Sequence, residues 1–281
     1  NPSKSFFDFF SKSGTDASDP YDPTNVKATG GTVAEPGNGY VYHVFTAPDT
    51  IVATGADVND VDWLVVAGGG AGGGYFGGGG GAGGYRVRSP NAGPLKSPTA
   101  ITISSSPISI TVGNGASSNN AQGADSAFGP IASEGGGGGE TGGGGGGAGT
   151  TGGSGGGGGP TNGGGTHPGF AGNVPAVNPP QGNPGGTGPG PAQYGGNGGS
   201  PTPDGSSFAM SDTPNPSSVL ISGSPVAPYT FAIGGRGYNN PSGSPAAAPA
   251  TSFGSGGGGT LNQTPSGAGS PGVLILMYPS G

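Results

Sequence analysis

The sequence predicts an all-β fold joined to a bundle of polyproline-II helices built from glycine, with little or no α-helix. Three observations carry that reading. Glycine stands in short homopolymeric runs, as in VVAGGGAGGGYFGGGGGAGG over 65–84, and again over 135–159 and 256–259. Apolar residues alternate with a period of two in GYVYHVFTA, and form continuous apolar runs in DWLVVA and VLILMY. A capped 3.6-residue period is missing, and only the Phe-rich stretch around Phe6 is compatible with a helix turn.

The composition says what must hold such a chain together. Among 281 residues there are 72 Gly and 30 Pro, with 29% hydrophobic and 7% charged. Burial of side chains then offsets only part of the ordering entropy, which is largest for glycine. Lateral backbone hydrogen bonds have to supply the rest. Collagen needs glycine at every third position over long stretches, and the homopolymeric runs exclude it. Polyproline-II helices have no internal hydrogen bonds, so every buried amide and carbonyl must pair with an adjacent helix. All-glycine helices can approach closely enough for this, and Cα–H···O contacts add to it.

The same numbers exclude several classes of function. Cysteine is absent, so there is no disulfide framework or thiolate metal site, and the compartment stays open on this criterion. A net charge of −7 argues against nucleic acid as a partner. No stretch approaches the roughly 20 apolar residues of a membrane span. The sequence begins Asn1-Pro2 without Met or a signal-peptide pattern, which fits either a processed product or a partial numbering.

Taken in order, residues 1–35 form an arm and linker. Phe6, Phe7, Phe9 and Phe10 in SFFDFFSKS precede an acidic, Pro-punctuated stretch in which Asp16, Asp19 and Asp22 are turn formers. Four such rings bury themselves either on the domain or in a partner; docking into a partner is favoured because a turn-rich linker lets the arm reach outward. Residues 36–135 are a β-rich region with the first glycine helix. Its strands are GYVYHVFTA, with Tyr40, Tyr42 and Val44 on one face and Val41, His43 and Phe45 on the other; Ile51–Ala53, expected to pair with it; Asp62–Ala67; Tyr85–Arg88; Ala100–Ile103; and Ile108–Val112. ADVNDVD before DWLVVA reads as a solvated turn. Residues 136–281 are a glycine-rich bundle with variable loops and a terminal strand, Val273–Tyr278, expected in the same sheet as DWLVVA because both runs read as buried on two faces.

An internal repeat organises these parts. PISITVGNG followed by SAFG and a glycine run has a counterpart in PYTFAIGGRG followed by SFG and a glycine run. Each unit reads as strand, loop, aromatic wedge (Phe128, Phe253) and glycine helix, with GSSFAM over 205–210 as a degenerate third wedge.

Motifs for chemistry are sparse. Matches to GxGxxG fall outside any strand-to-helix unit, and GxxxxGK[ST] is absent. His43 lies mid-strand among apolar residues and reads as a buried structural histidine, and His167 is on a different element. The acidic stretch Asp57, Asn59, Asp60, Asp62 fails the spacing of a calcium loop. No catalytic set, cofactor or metal site is expected, and the lack of a convergent carboxylate pair argues against a depolymerase. The loop aromatics say more. Phe170, Tyr194 and Tyr238 stand in segments with little else apolar, where each ring either stacks on a ligand or plugs a gap in the bundle. Tyr75 and Phe76, with glycine on both sides, read as plugs.

The order GYVYHVFTAPDT, VDWLVVAGGGAGGG, GGGGAGGYR, SITVGNG, DSAFG before polyglycine, and GVLILMYP resembles the glycine-rich domain of tailed-bacteriophage tail-fibre and virion proteins. The resemblance runs from about Gly39 to Gly281 and implies a layered polyproline-II bundle whose joining loops contact a bacterial receptor. The chain differs from tail-tip adhesins in its Phe-rich arm and its β region, so tail tip, tail hub and head all stay open as positions. The implied protein is a non-enzymatic virion-surface fibre or adhesin, a trimer or a monomer on its fibre. Its arm would hold other virion structural proteins. Its receptor is a host-surface glycan or outer-membrane protein, met by Tyr194, Tyr238, Arg236, Asn239, Asn240, Gln193 and Phe170 in the loops 160–216 and 236–240. The competing reading is a rigid structural spacer without a ligand. Ice binding, a third use of such bundles, needs a regular Thr or Ala face that is absent here.

Overall fold

The structure is a computed structural model that describes residues 25–35, 40–88, 95–143, 147–160, 165–189, 194–201, 231–238, 250, 252–261 and 265–280. Its strands are β1 (Ala28–Thr29), β2 (Thr32–Ala34), β3 (Tyr40–Phe45), β4 (Asp49–Ala53), β5 (Val58–Val66), β6 (Tyr85–Arg88), β7 (Ile101–Ile103), β8 (Ile108–Thr111), β9 (Ser126–Phe128), β10 (Ile131–Ser133) and β11 (Val273–Pro279). All pairings between them are antiparallel. Among the described residues there is no α-helix, and no helix is long and apolar enough to cross a membrane.

The two continuous apolar runs form the middle of a six-stranded sheet of order β2-β3-β11-β5-β6, with β7 paired to the first half of β5. Because strand side chains alternate, β11 sends Leu274, Leu276 and Tyr278 into one apolar layer and Val273, Ile275 and Met277 into another. On β5, Trp63 and Val65 join the first layer while Leu64 and Val66 join the second. The first layer is shared with a five-stranded sheet of order β1-β4-β8-β9-β10, which contributes Ile51, Ile110, Phe128 and Ile131. Phe231 and Ala232 lie in the second layer, and Phe253 packs against it. Burial on both faces is why these two runs carry no polar alternation.

Several expectations are corrected. Ile51–Ala53 does not pair with β3; β4 runs between β1 and β8 in the other sheet. Residues 58–62 of the ADVNDVD stretch are the first half of β5, with an irregularity between Val58 and Val61 where Asp60 takes φ 52°. Arg88 on β6 bridges Asp62 at 3.1 Å and Asp60 at 3.4 Å, which ties these acids to the sheet. The expected linker up to residue 35 supplies β1 and β2. The terminal strand does lie in the sheet of DWLVVA as expected, since β11 sits between β3 and β5. Phe6, Phe7, Phe9, Phe10 and the 205–210 wedge lie outside the described residues.

The repeat has a backbone signature. Gly129 after Phe128 has φ 53° and Gly254 after Phe253 has φ 70°, so both wedges end in a left-handed residue that favours glycine. The two rings then pack on different layers, Phe128 between the sheets and Phe253 on the outer face.

His43 is fully buried, as a structural histidine would be. Its Nδ1 is 2.7 Å from the Gly30 carbonyl and its Nε2 is 2.9 Å from the Tyr278 hydroxyl, which is also 3.1 Å from the Lys27 amide. A neutral ring donating from Nδ1 and accepting at Nε2 satisfies the whole chain, with Tyr278 accepting from Lys27. Burial holds its pKa below the ordinary 6.5, against the opposing pull of the Gly30 bond. On acidification through that value the unfolded chain takes up a proton the folded chain refuses, so stability falls as pH falls. Melting temperature of the parent is expected to decline between about pH 7.5 and about pH 5.5 more steeply than that of His43→Gln. Equal slopes would show that His43 does not titrate with folding.

Candidate functional site

Beyond the sheets, glycine segments bond to one another through their backbones with a three-residue period. Along the arm 67–74, Ala67, Gly70 and Gly73 donate to Gly84, Gly81 and Gly78, so this arm and 77–84 form an antiparallel hairpin. Gly68 and Ala71 donate to Ala124 and Ala121, and Gly69 and Gly72 to Ser270 and Gly267. The second arm repeats the scheme: Gly77, Gly80 and Gly83 donate to Thr260, Gly257 and Gly254, while Gly78, Gly81 and Gly84 donate to Glu140, Gly137 and Glu134. Every third amide therefore addresses the same neighbour. A β-carbon added at Gly69, Gly70, Gly72, Gly78, Gly79 or Gly80 falls inside 3.0 Å of a neighbouring backbone carbonyl. The separation that makes these bonds possible leaves no room for a side chain.

The hairpin gives this layer two different ends. At one end β5 runs into Ala67, β6 leaves Gly84, β8 runs toward Gly113, β10 toward Gly135, and β11 leaves Gly272. At the other lies the Tyr75–Phe76 turn, with Glu140, Tyr238 and Thr260 bonded through Gly78, Gly77 and Gly77 respectively. Among the described residues, the strands occupy one end and the other is free of strands.

Tyr194, Arg236 and Tyr238 come together at this strand-free end. The Gly195 amide donates to Tyr238 O at 2.9 Å, Tyr238 N–H to Gly77 O at 2.9 Å, and Gly259 N–H to Arg236 O at 2.8 Å. The Asn197 side-chain oxygen accepts from Gly237 N–H at 3.0 Å and ties the two segments together. Tyr194 and Arg236 are half-buried. Tyr238, however, is 7% exposed and its ring stands edge-on to Phe76, centroids 5.3 Å apart at 67°. It is a plug rather than an open stacking surface, because the ring is buried against Phe76 while its backbone is bonded to Gly77 and Gly195. Phe170 is apart from this group, half-buried, with its ring over Gly149 and its amide on Gly156 O. Gln193, Asn239 and Asn240 lie outside the described residues.

The described residues of the stretch 160–216 are divided between the two ends. Asn173 closes the turn to Val177 with two side-chain bonds and accepts from Gln181 N–H, and Gln181 O accepts from Tyr85 on β6. The stretch 173–181 therefore belongs to the strand end, away from Tyr194.

Sequence reasoning missed three features of the strand-free end. Tyr75 is 39% exposed and Leu261, next to Thr260, is 38% exposed, so Tyr75 is not the plug it was expected to be. The near-symmetry of GGGAGGG-YF-GGGGGAGG around Tyr75–Phe76 is the signal of a hairpin tip. The third is a carboxylate clamp. Glu140 accepts from Gly159 N–H at 2.8 Å and meets His167 Nδ1 at 2.7 Å, so one side chain joins three segments. No group of three or more His, Cys, Asp or Glu positioned for a metal occurs among the described residues.

Fold and site together define a β-sheet scaffold that continues into a backbone-bonded glycine layer and ends in an aromatic tip. The family model that describes a glycine-rich domain matches residues 46–279, and the chain belongs to this glycine-rich domain family. Comparison with curated proteins yields no match.

Proposed function

We propose that this chain is a virion fibre or adhesin protein of a tailed bacteriophage that meets a host-surface receptor at the strand-free end of its glycine layer. The observation that carries the reading is the convergence of Tyr194, Arg236 and Tyr238 on the end that bears the Tyr75–Phe76 hairpin tip with its exposed Tyr75. Loops carried at one end of a rigid scaffold vary without disturbing it, which is what recognition of changing receptors requires. In this reading the segments are polyproline-II helices. The three-residue bonding period supports that conformation, since its turn is also three residues. The Phe6–Phe10 arm docks on other virion proteins, the chain is exposed on the particle, and it acts by binding rather than catalysis.

The test is adsorption of the purified chain to host cells and to isolated host envelope. A variant carrying Tyr194→Ala with residues 239–249 replaced by an equal length of Gly-Ser is expected to lose adsorption about tenfold or more, with little change in melting. Val174→Ser, an exposed site in the strand-end loop, is expected to adsorb like the parent. Undiminished adsorption by the first variant would remove Tyr194 and residues 239–249 from the receptor site, and no adsorption by the parent would make the chain a structural spacer.

A further inference from the structure

The two-residue turn at the hairpin tip is built against the preferences of its residues. It joins antiparallel arms, with Gly73 N–H donating to Gly78 O at 2.8 Å, and its central residues Tyr75 and Phe76 have φ 47° and 57°. Such a turn favours Gly, Asn or Asp at both positions, because a left-handed residue with a bulky side chain is strained. This chain places glycine at 72–74 and 77–81, on either side, yet holds two aromatic residues at the two places where glycine is best suited. Strain kept in that way needs a compensating use.

Phe76 has a use within the fold. Its ring packs edge-on to buried Tyr238, and it fixes the tip against the neighbouring segment. The turn is also pinned from the other side: Gly74 N–H donates to Thr141 Oγ1 at 3.2 Å, and Gly142 N–H to Gly74 O at 3.1 Å. Tyr75 has no such role. It is 39% exposed and makes no ring contact among the described residues. The amide N–H groups of Tyr75 and Phe76 likewise have no hydrogen-bond acceptor among the described residues. An exposed ring thus stands beside two amides without an acceptor among the described residues.

We infer that Tyr75 is the stacking platform for the apolar face of a neutral pyranose ring, with the amides of Tyr75 and Phe76 donating to its hydroxyls. The inference rests on the receptor reading above and names the chemistry of its ligand. A sugar presents C–H groups on a face and hydroxyls at its rim, which matches a ring flanked by donors. The ligand is neutral because the chain carries a net charge of −7, Glu140 and His167 at this end are paired with each other, and Arg236 there is half-buried and already partnered. Leu261, exposed beside Thr260, whose carbonyl accepts from Gly77 at 3.3 Å, extends the apolar surface.

The experiment measures binding of the full chain to immobilised neutral oligosaccharides of glucose, galactose, mannose and N-acetylglucosamine, with an acidic polyuronate for comparison. Host envelope is assayed in parallel. Tyr75→Gly and Tyr75→Asn both suit a left-handed residue, so their melting temperatures are expected to equal or exceed the parent's. Their binding to the preferred neutral sugar is expected to fall about tenfold or more, and Tyr75→Phe is expected to retain it. Parent-like binding by the Gly and Asn variants, or lowered melting in both, would overturn the inference. Binding to envelope but to none of the neutral sugars would also overturn it in favour of a protein or acidic receptor, while leaving the adhesin reading in place. Failure to bind envelope and sugars alike would remove both.

Discussion

Gly80→Ala is expected to lower the melting temperature by about 6 °C or more, and Gly55→Ala to leave it unchanged or slightly raised. The two substitutions add the same methyl group. At Gly80 it meets the backbone of Gly70 and Ala71 on the opposite arm of the hairpin, well inside van der Waals contact. That arm cannot retreat freely, because Gly70 donates to Gly81 O at 2.9 Å and accepts from Gly257 N–H at 2.9 Å. Gly80 itself is held on two further sides, donating to Gly257 O and accepting from Gly235 N–H, each at 2.8 Å. Relief of the clash therefore breaks hydrogen bonds in a layer where the backbone is the packing material, a cost of about 3 kcal/mol or more. The entropic gain of replacing glycine, about 0.4–1 kcal/mol, does not offset it. At Gly55 no atom lies within 4 Å of the added carbon, so only that small gain remains. Thermal melts of both variants check this. Equal melting temperatures would mean that the glycine segments are not in the close contact described.

The parts of the fold that were legible in the sequence are those where side chains carry a pattern. Alternation marked β3, with Tyr40 and Tyr42 on one face and Val41 and Phe45 on the other, and the two apolar runs announced β5 and β11 as neighbours. Short strands were less visible. β1 and β2 contain two and three residues in a polar stretch, and only their pairing with β4 and β3 makes them strands. The partner of β4 was missed for a related reason: β3 is nearer in sequence, but burial of Ile51 in the layer between the sheets sets β4 beside β8. In the glycine runs, pattern disappears altogether. Nothing about Gly79 or Gly80 as residues tells that one bonds to Gly196 and the other to Gly257, since successive residues are chemically identical and only the three-residue geometry separates them. The same blindness affected the site. Tyr194 and Tyr238 stand in similar glycine-rich surroundings, yet Tyr238 fills a gap against Phe76, and the exposed ring at that end is Tyr75.

Removal of residues 273–281 is expected to leave the remaining chain unable to fold. β11 lies in the interior of the six-stranded sheet, with Leu274 opposite Phe45 on β3 and opposite Val65 on β5. Without it those two strands, Tyr40–Phe45 and Val58–Val66, each face the other across an empty lane of unpaired amides and carbonyls. The loss also reaches both apolar layers, because Leu276 fills one and Ile275 the other, each essentially buried. Deleting one buried leucine or isoleucine side chain down to alanine typically costs about 2–5 kcal/mol. A few such losses match the whole stability of an ordinary domain, about 5–15 kcal/mol. The point variants Leu276→Ala and Ile275→Ala are accordingly expected to fold with lowered melting temperatures, and they report separately on the layer between the sheets and on the outer layer. Removal of residues 1–24, in contrast, leaves every described strand in place and is expected to melt near the parent temperature. Circular dichroism and limited proteolysis of the two truncations distinguish these outcomes. Retention of strand signal and protease resistance without residues 273–281 would show that β3 and β5 hold together without β11, and would overturn this sheet order.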